Sequence, residues 1–358
     1  MLAWPGPAPA LAQGACQAPA PVCAARGAVF GVSSFDPLAS AVRIGPDLLV
    51  TNRHVVADET RAGVILPDGS RVPAQVLSTG YAGDLILLRA AALGEGPVLD
   101  PGEAAPEGLL YTVGMDVERR GVRVYAPGRL LLPPAAGHPF ARLHHAAHSQ
   151  PGNSGGALVD GRGRLVGIVA SGGEGRNEAI PVARIASLLA ASGPGQAEES
   201  ARIGAAYRAC YKALDWAERT GRRLGNALAE SLMRDCGESG NRQLFDLAAQ
   251  ALGEAGMLQS SRVVFEWALL QDPQAINSRI GLVVTLQIGG RYAESVPHVT
   301  WLLGVLPGDL EVLRMGLVAG RRGGAPELAE RSLALIETHH PLVAPSARKF
   351  LRAPDPAQ

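Results

Sequence analysis

The hydrophobic period of this chain changes once, near residue 192, from two residues to 3.6, and that change limits the fold more than any other feature. Residues 27–181 contain short alternating or apolar runs separated by Gly, Pro and Asp. The runs 39–44 and 48–51 flank a Gly45-Pro46-Asp47 turn, and 62–66 and 71–77 flank Pro67-Asp68-Gly69-Ser70. Further runs follow at 109–113, 121–125, 156–159 and 164–169. Strands this closely spaced, with no helical pattern between them, predict an all-β barrel or sandwich. Residues 182–191 then read as one closing helix. Beyond them, residues 200–352 show the apolar spacing of helices.

The helical half carries its own punctuation. Gly256, Gly290 and Gly324 lie 34 residues apart, and so do Pro273, Pro307 and Pro341. Each Gly suits the turn between two helices, and each Pro ends the second helix of a pair. Two interlocked series at this period resemble tetratricopeptide (TPR) repeats over about residues 240–341. Phe265 and Ala268 suit that pattern, whereas Ser261 and Ser295 replace its small Ala. An ordinary helical bundle is the alternative. The expected organisation is therefore a signal-like, Pro-rich segment at 1–23, a β domain at 24–192, a linker at 193–199 and a helical domain at 200–352.

Composition narrows the function classes. With 47% hydrophobic and 18% charged residues, the chain has apolar material for real cores and is no disordered, solvating polymer. Residues 1–197 carry 15 basic and 15 acidic side chains, and residues 198–358 carry 18 of each. Neither half offers the basic field that nucleic acid would need, so nucleic acid is not an expected partner. No uncharged apolar run reaches the ~18 residues that cross a bilayer, so no membrane span is expected.

Residues 1–12 (MLAWPGPAPALA) end in an Ala10-Leu11-Ala12 pattern of the kind signal peptidase cuts after. They read as the distal end of an export signal, with an Ala/Pro tail as the alternative. Four cysteines form two local pairs, Cys16 with Cys23 and Cys210 with Cys236, which in an exported protein read as disulfides. The expected location is periplasmic or secreted. No Cys/His spacing suggests a metal, and no cofactor is expected.

Three motifs carry the chemistry. Residues 51–56 (TNRHVV) place His54 after an apolar strand, 83–88 (GDLILL) place Asp84 before one, and 151–156 (PGNSGG) place Ser154 in a glycine-rich turn. Singly, each has a plain structural explanation; together they follow the His, Asp, Ser order of one class of catalytic triad. A Ser hydroxyl is a poor nucleophile until a base takes its proton, which assigns that role to His54. Asp84 would hold the imidazole, and the backbone N–H groups of Gly152 and Ser154 would face a developing oxyanion.

On these residues the sequence resembles the trypsin-like serine peptidases, and within them the bacterial Deg/HtrA type, from about residue 28 to 189. TNRHVV, GDLILL and PGNSGGAL match that family's motifs, and 165–169 (LVGIV) and 179–182 (AIPV) extend the match. The resemblance implies two six-stranded β-barrels with the triad in the cleft between them, polypeptide substrates, and an acyl-enzyme. It implies no zymogen cleavage, since Asn153 replaces the Asp that pairs with a new N-terminus. It also marks His148, six residues before Ser154, as the base of the primary specificity pocket, and Val169, Ala170 and Ser171 as the strand beside the substrate backbone. No PDZ-like segment follows; TPR-like helices stand there, with a possible protein partner. The complete triad and intact GNSGG favour an active serine endopeptidase; the alternative is an inactive protease-fold scaffold acting through its helices, while an esterase using the same groups lacks the GxSxG elbow on an α/β sheet.

Overall fold

A computed structural model describes residues 16–173, 175–220 and 224–353. The expected two-barrel fold followed by helices is what it contains. The first barrel consists of β1 (Val29–Ser33), β2 (Ala39–Arg43), β3 (Leu48–Thr51), β4 (Arg61–Ile65), β5 (Arg71–Val76) and β6 (Ile86–Arg89). They pair in the order β1-β2-β3-β6-β5-β4, and β1–β4 pairing, with Val32 opposite Val64, closes the ring. The second sheet contains β7 (Leu109–Asp116), β8 (Gly121–Val124), β9 (Gly128–Leu132), β10 (Leu143–His145), β11 (Ala157–Asp160), β12 (Leu165–Gly173) and β13 (Arg176–Pro181). Its order is β11-β12-β13-β10-β9-β7-β8, and a β7–β11 pairing closes six strands into a barrel that leaves β8 outside.

The apolar runs have a specific cause. Phe30, Val32, Leu49, Ile86 and Leu88 fill the first barrel, while their strand neighbours Val29, Val50, Leu85 and Leu87 belong to a core shared with the second. That shared core includes Tyr111, Val113, Ala157, Val159 and Ile168. Strands buried on both faces read as continuous apolar runs and lose strict alternation. Two short helices, α1 (Ala20–Ala24) and α2 (Arg53–Val56), and the closing helix α3 (Arg184–Ala190) complete this part. Val22, Ile185 and Leu188 tie α1 and α3 to the shared core.

The helical part comprises α4 (Ala197–Thr220), α5 (Asn226–Ser239), α6 (Arg242–Glu254), α7 (Leu258–Gln271), α8 (Ile276–Ile288), α9 (Tyr292–Val305), α10 (Leu310–Arg322), α11 (Pro326–His339) and α12 (Ala344–Arg352). The 34-residue period is explicit. Helices begin at 242, 276, 310 and 344, and the alternate series begins at 258, 292 and 326. Gly256, Gly290 and Gly324 all have positive φ (79°, 71° and 73°), a conformation that costs side-chain-bearing residues. At each turn the next N–H reaches back five residues, from Met257 to Leu252, Arg291 to Leu286 and Ala325 to Gly320. Ser261 and Ser295, which depart from the repeat pattern, are fully buried. Their hydroxyls bond to Thr285 Oγ1 (3.0 Å) and to the Tyr292 carbonyl (2.7 Å), so a polar group fits where Ala was expected.

Two compact units divide the chain: Met1–Leu130 with His145–Ala201, and Leu131–His144 with Arg202–Gln358. Residues 193–199, expected to be a linker, lie in the first unit, and Ala197 already begins α4. In the second unit Leu131 and Leu132 pack with the helical core. Asp272, whose side chain is wholly buried, accepts from the Arg142 N–H (3.1 Å), the Gln274 N–H (3.0 Å) and His144 Nε2 (3.2 Å). Burial alone would raise its pKa, but His144, Arg242 and the Arg142 N–H outweigh that and hold it below the ordinary carboxylate value. The depressed folded value means that Asp272 stabilises this unit above about pH 4 and loses that contribution as pH falls through the folded pKa. Asp272→Asn is therefore expected to lower the thermal midpoint of the helical transition at pH 7, with the difference from wild type shrinking on acidification.

Cys16–Cys23 and Cys210–Cys236 are bonded, the latter linking α4 to α5 with Cα atoms 4.7 Å apart. Residues 1–12, read as an export signal, and the turn expected at 221–223 fall outside the described residues. The second bridge closes a loop of 26 residues. Replacing both Cys210 and Cys236 by Ser should cost the helical unit about 3–4 kcal/mol in the chain-entropy account, measured by denaturant unfolding followed through helical circular dichroism.

Candidate active site

Strand β3 ends at Thr51, Asn52 is extended, and α2 is a single helical turn that begins at Arg53. The turn places two donors of His54 toward one carboxylate. The His54 backbone N–H donates to Asp84 Oδ1 at 3.0 Å, and ring Nδ1 lies 2.9 Å from Oδ2. A carboxylate accepts only, so Nδ1 carries the proton and Nε2 is left as the basic nitrogen. Both residues are buried, at 5% and 3% exposure, which shields the pair from competing water. Asn52 Nδ2 donates to the Asp84 carbonyl (3.0 Å), fixing the backbone that carries the acid.

Ser154 stands in the turn before β11 and is partly exposed. Its loop is held from two directions. Ser40, on β2, is fully buried; its hydroxyl donates to the Gly152 carbonyl (2.7 Å) and accepts from the Met115 N–H (2.8 Å). The Ser40 N–H donates to the Ser154 carbonyl (2.8 Å), and the Ser40 carbonyl accepts from Thr51 Oγ1 (2.6 Å), three residues before His54. One strand position thus ties the serine loop to the histidine turn. From the second barrel, Asn153 donates through Nδ2 to the Met115 carbonyl (3.0 Å) and accepts from the Gln150 N–H (2.9 Å). Gln150 Nε2 in turn donates to the Tyr125 hydroxyl (3.1 Å). Burial pushes the Tyr125 phenol above its ordinary pKa.

Glycine is required at two points of the loop. At Gly152 φ is +94°, and a Cβ would stand 2.8 Å from the Met115 carbonyl oxygen; at Gly155 φ is +80°, and a Cβ would stand 2.1 Å from that of Ser40. Among the described residues, the N–H groups of Gly152 and Ser154 donate to no backbone carbonyl. They remain available to a ligand oxygen. Strand β12 runs alongside: Gly155 and Val169 bond through N–H to O (2.9 Å), as do Val169 and Gly156 (2.9 Å). Ser154 Oγ lies 3.4 Å from the Ala170 carbonyl.

The structure brings His54 and Asp84 into direct contact and sets Val169 and Ala170 beside the serine loop. Ser171 donates to Glu178 Oε2 (2.9 Å), and Glu178 is itself buried. His148 is exposed, its ring 5.8 Å from that of Tyr125, whereas its neighbours His144 and His145 are buried. Ser40, Asn52, Tyr125 and Gln150 were not singled out from the sequence. The polar residues inside strand 39–43, Ser40 and Arg43, were the available signal, and of the four it reaches only Ser40.

Residues 39–168 match the model of the trypsin-like peptidase domain. Over 137 residues the chain is 29% identical to the serine protease Do-like HtrA of Lactobacillus helveticus, covering 35% of this chain and 32% of that protein. The chain thus spans a third or less of the curated relatives it matches. Among solved structures, the HtrA-type protease AlgW with tripeptide is 27% identical at a TM-score of 0.42, covering 48% of this chain and 61% of that one. The inactive form of the Rv3671c protease is 23% identical at a TM-score of 0.41, covering 49% and 98%. The β-rich part of the chain thus matches a trypsin-like peptidase domain and is similar to part of a Do-like HtrA serine protease, and an all-α region follows it.

Proposed function

We propose that the protein is a serine endopeptidase in which Ser154 is the nucleophile, His54 the general base and Asp84 its orienting acid. The two-point contact between His54 and one buried carboxylate is the observation that carries this reading. Nε2 of His54 takes the Ser154 hydroxyl proton as Oγ bonds to the scissile carbonyl carbon. The resulting oxyanion accepts from the Gly152 and Ser154 N–H groups. Collapse expels the amine, which leaves with the proton from His54, and the acyl group stays on Ser154. Water then repeats the sequence, with His54 as its base, and releases the acid.

Val169, Ala170 and Ser171 supply the edge along which an extended substrate lies, and His148 meets its side chain at the approach to the loop. The helical repeats recruit substrates or a partner protein; Leu270, Ile288 and Leu342, exposed by 73%, 66% and 95%, are apolar contacts for that purpose. Two disulfides and the export-like residues 1–12 support a periplasmic or secreted location.

A fluorophosphonate probe tests the nucleophile: it is expected to label wild type and leave Ser154→Ala unlabelled. Casein cleavage should fall by about three orders of magnitude or more in Ser154→Ala and His54→Ala, and nearly as far in Asp84→Asn. Cleavage at the wild-type rate by Ser154→Ala would remove Ser154 from the mechanism. Ser40→Ala strands the Gly152 carbonyl and the Met115 N–H, each worth about 1–3 kcal/mol when buried. It should lower the turnover of a peptide substrate about tenfold through a loosened loop, with thermal unfolding showing the protein still folded.

A further inference from the structure

The stretch 191–200 belongs to the β-barrel unit, and its contacts converge on the two segments that carry His54 and Asp84. On the acid side, the Gly80 N–H donates to the Ala191 carbonyl (2.9 Å), the Gly193 N–H donates to the Ser78 carbonyl (2.9 Å), and Thr79 pairs with Ser192. Thr79 Oγ1 also donates to the Ala191 carbonyl (3.1 Å). Contact at Gly80 is tight: a Cβ there would come within 2.5 Å of Gln196 Oε1. Four residues further on stands Asp84.

On the base side the contact is made by Arg53, immediately before His54. Arg53 is 2% exposed, and its guanidinium reaches the first turn of α4, donating to the Ser200 carbonyl through one nitrogen and to Ser200 Oγ (3.2 Å) through another. These two charge-assisted bonds tie the buried Arg53 to the first turn of α4. Arg53 also fixes the far end of the histidine turn. Its carbonyl accepts from the Ala57 N–H (2.9 Å), and Ala57 has φ +49°, a conformation that a non-glycine residue keeps only when its surroundings impose it.

We propose that residues 191–200 form a clamp that sets the His54–Asp84 geometry, with Arg53 and Ser200 as positioning residues. The inference rests on the protease reading for its consequence and on contacts alone for its existence. A mobile tether between domains would leave both triad segments untouched. Here the same ten residues hold the segment before Asp84 and the residue before His54. Loosening the clamp displaces the base relative to Ser154 without altering the surface a substrate meets. Chemistry should suffer and binding should not.

The test uses the full chain with Arg53→Met, which keeps the side-chain volume and removes the donors, and Arg53→Lys, which keeps one charged donor. Inactivation by a fluorophosphonate is resolved into its maximal rate and its half-saturation concentration. Arg53→Met is expected to lose about 10- to 100-fold in maximal rate with half-saturation unchanged within about twofold, and Arg53→Lys to recover most of the loss. An unchanged maximal rate in Arg53→Met, or a loss that matches its unfolded fraction and is not relieved by Lys, overturns the proposal. A second measurement needs no catalysis: hydrogen exchange in the Ser154→Ala background. Arg53→Met should there lose protection together at residues 52–57 and 197–204, and loss at 52–57 alone would overturn the clamp. Wild type that neither labels nor cleaves would instead sink the protease reading, while the exchange result still decides the clamp.

Discussion

Burial of both faces of the first barrel's strands is the constraint on which the β-rich part depends. Phe30, Leu49 and Leu88 fill one side of their strands, and Val29, Val50 and Leu87 face the core shared with β7, β11 and β12. Because the two barrels share apolar residues, they cannot separate without exposing them, at about 25 cal/mol per Å² of apolar surface. That rigidity fixes the strands from which the His54 turn and the Ser154 loop extend. A shared core of this density does not deform continuously.

Polar groups inside such a core must be satisfied, and the candidate site is built where they are. Ser40 is fully buried, yet its N–H, carbonyl and hydroxyl all reach partners in the serine loop, in Met115 and in Thr51. Asn153 does the same from within the loop. Each bond is modest alone, but leaving any partner unmet costs more than the bond contributes. The network fixes a loop in which, among the described residues, the N–H groups of Gly152 and Ser154 donate to no backbone carbonyl.

The helical part follows a different logic. The hairpins α6–α7, α8–α9 and α10–α11 each repeat a glycine with positive φ and the same backbone bond across the turn, so their geometry is set locally, every 34 residues. Its exceptions are polar. Ser261 and Ser295 keep buried hydroxyls by bonding them to neighbours, and Asp272 gathers donors from 142–144, far away in sequence.

Sequence alone determined what depends on local rules. The switch of period near residue 192 separated strands from helices, the Gly and Pro series fixed the 34-residue repeat, and three motifs named His54, Asp84 and Ser154 as candidates. These signals were legible because turn conformation and face burial act on residues a few positions apart. Tertiary structure decided whatever depends on residues distant in the chain. The bonds from Ser40 to the serine loop and from Arg53 to Ser200 span about a hundred residues or more, and no periodicity encodes them. Residues 193–199, within the run 191–200, read as a linker by their Gly and Pro, which report only a break in regular structure. Whether such a break swings free or is held depends on what packs against it, here Gly80, Ser78 and a buried guanidinium.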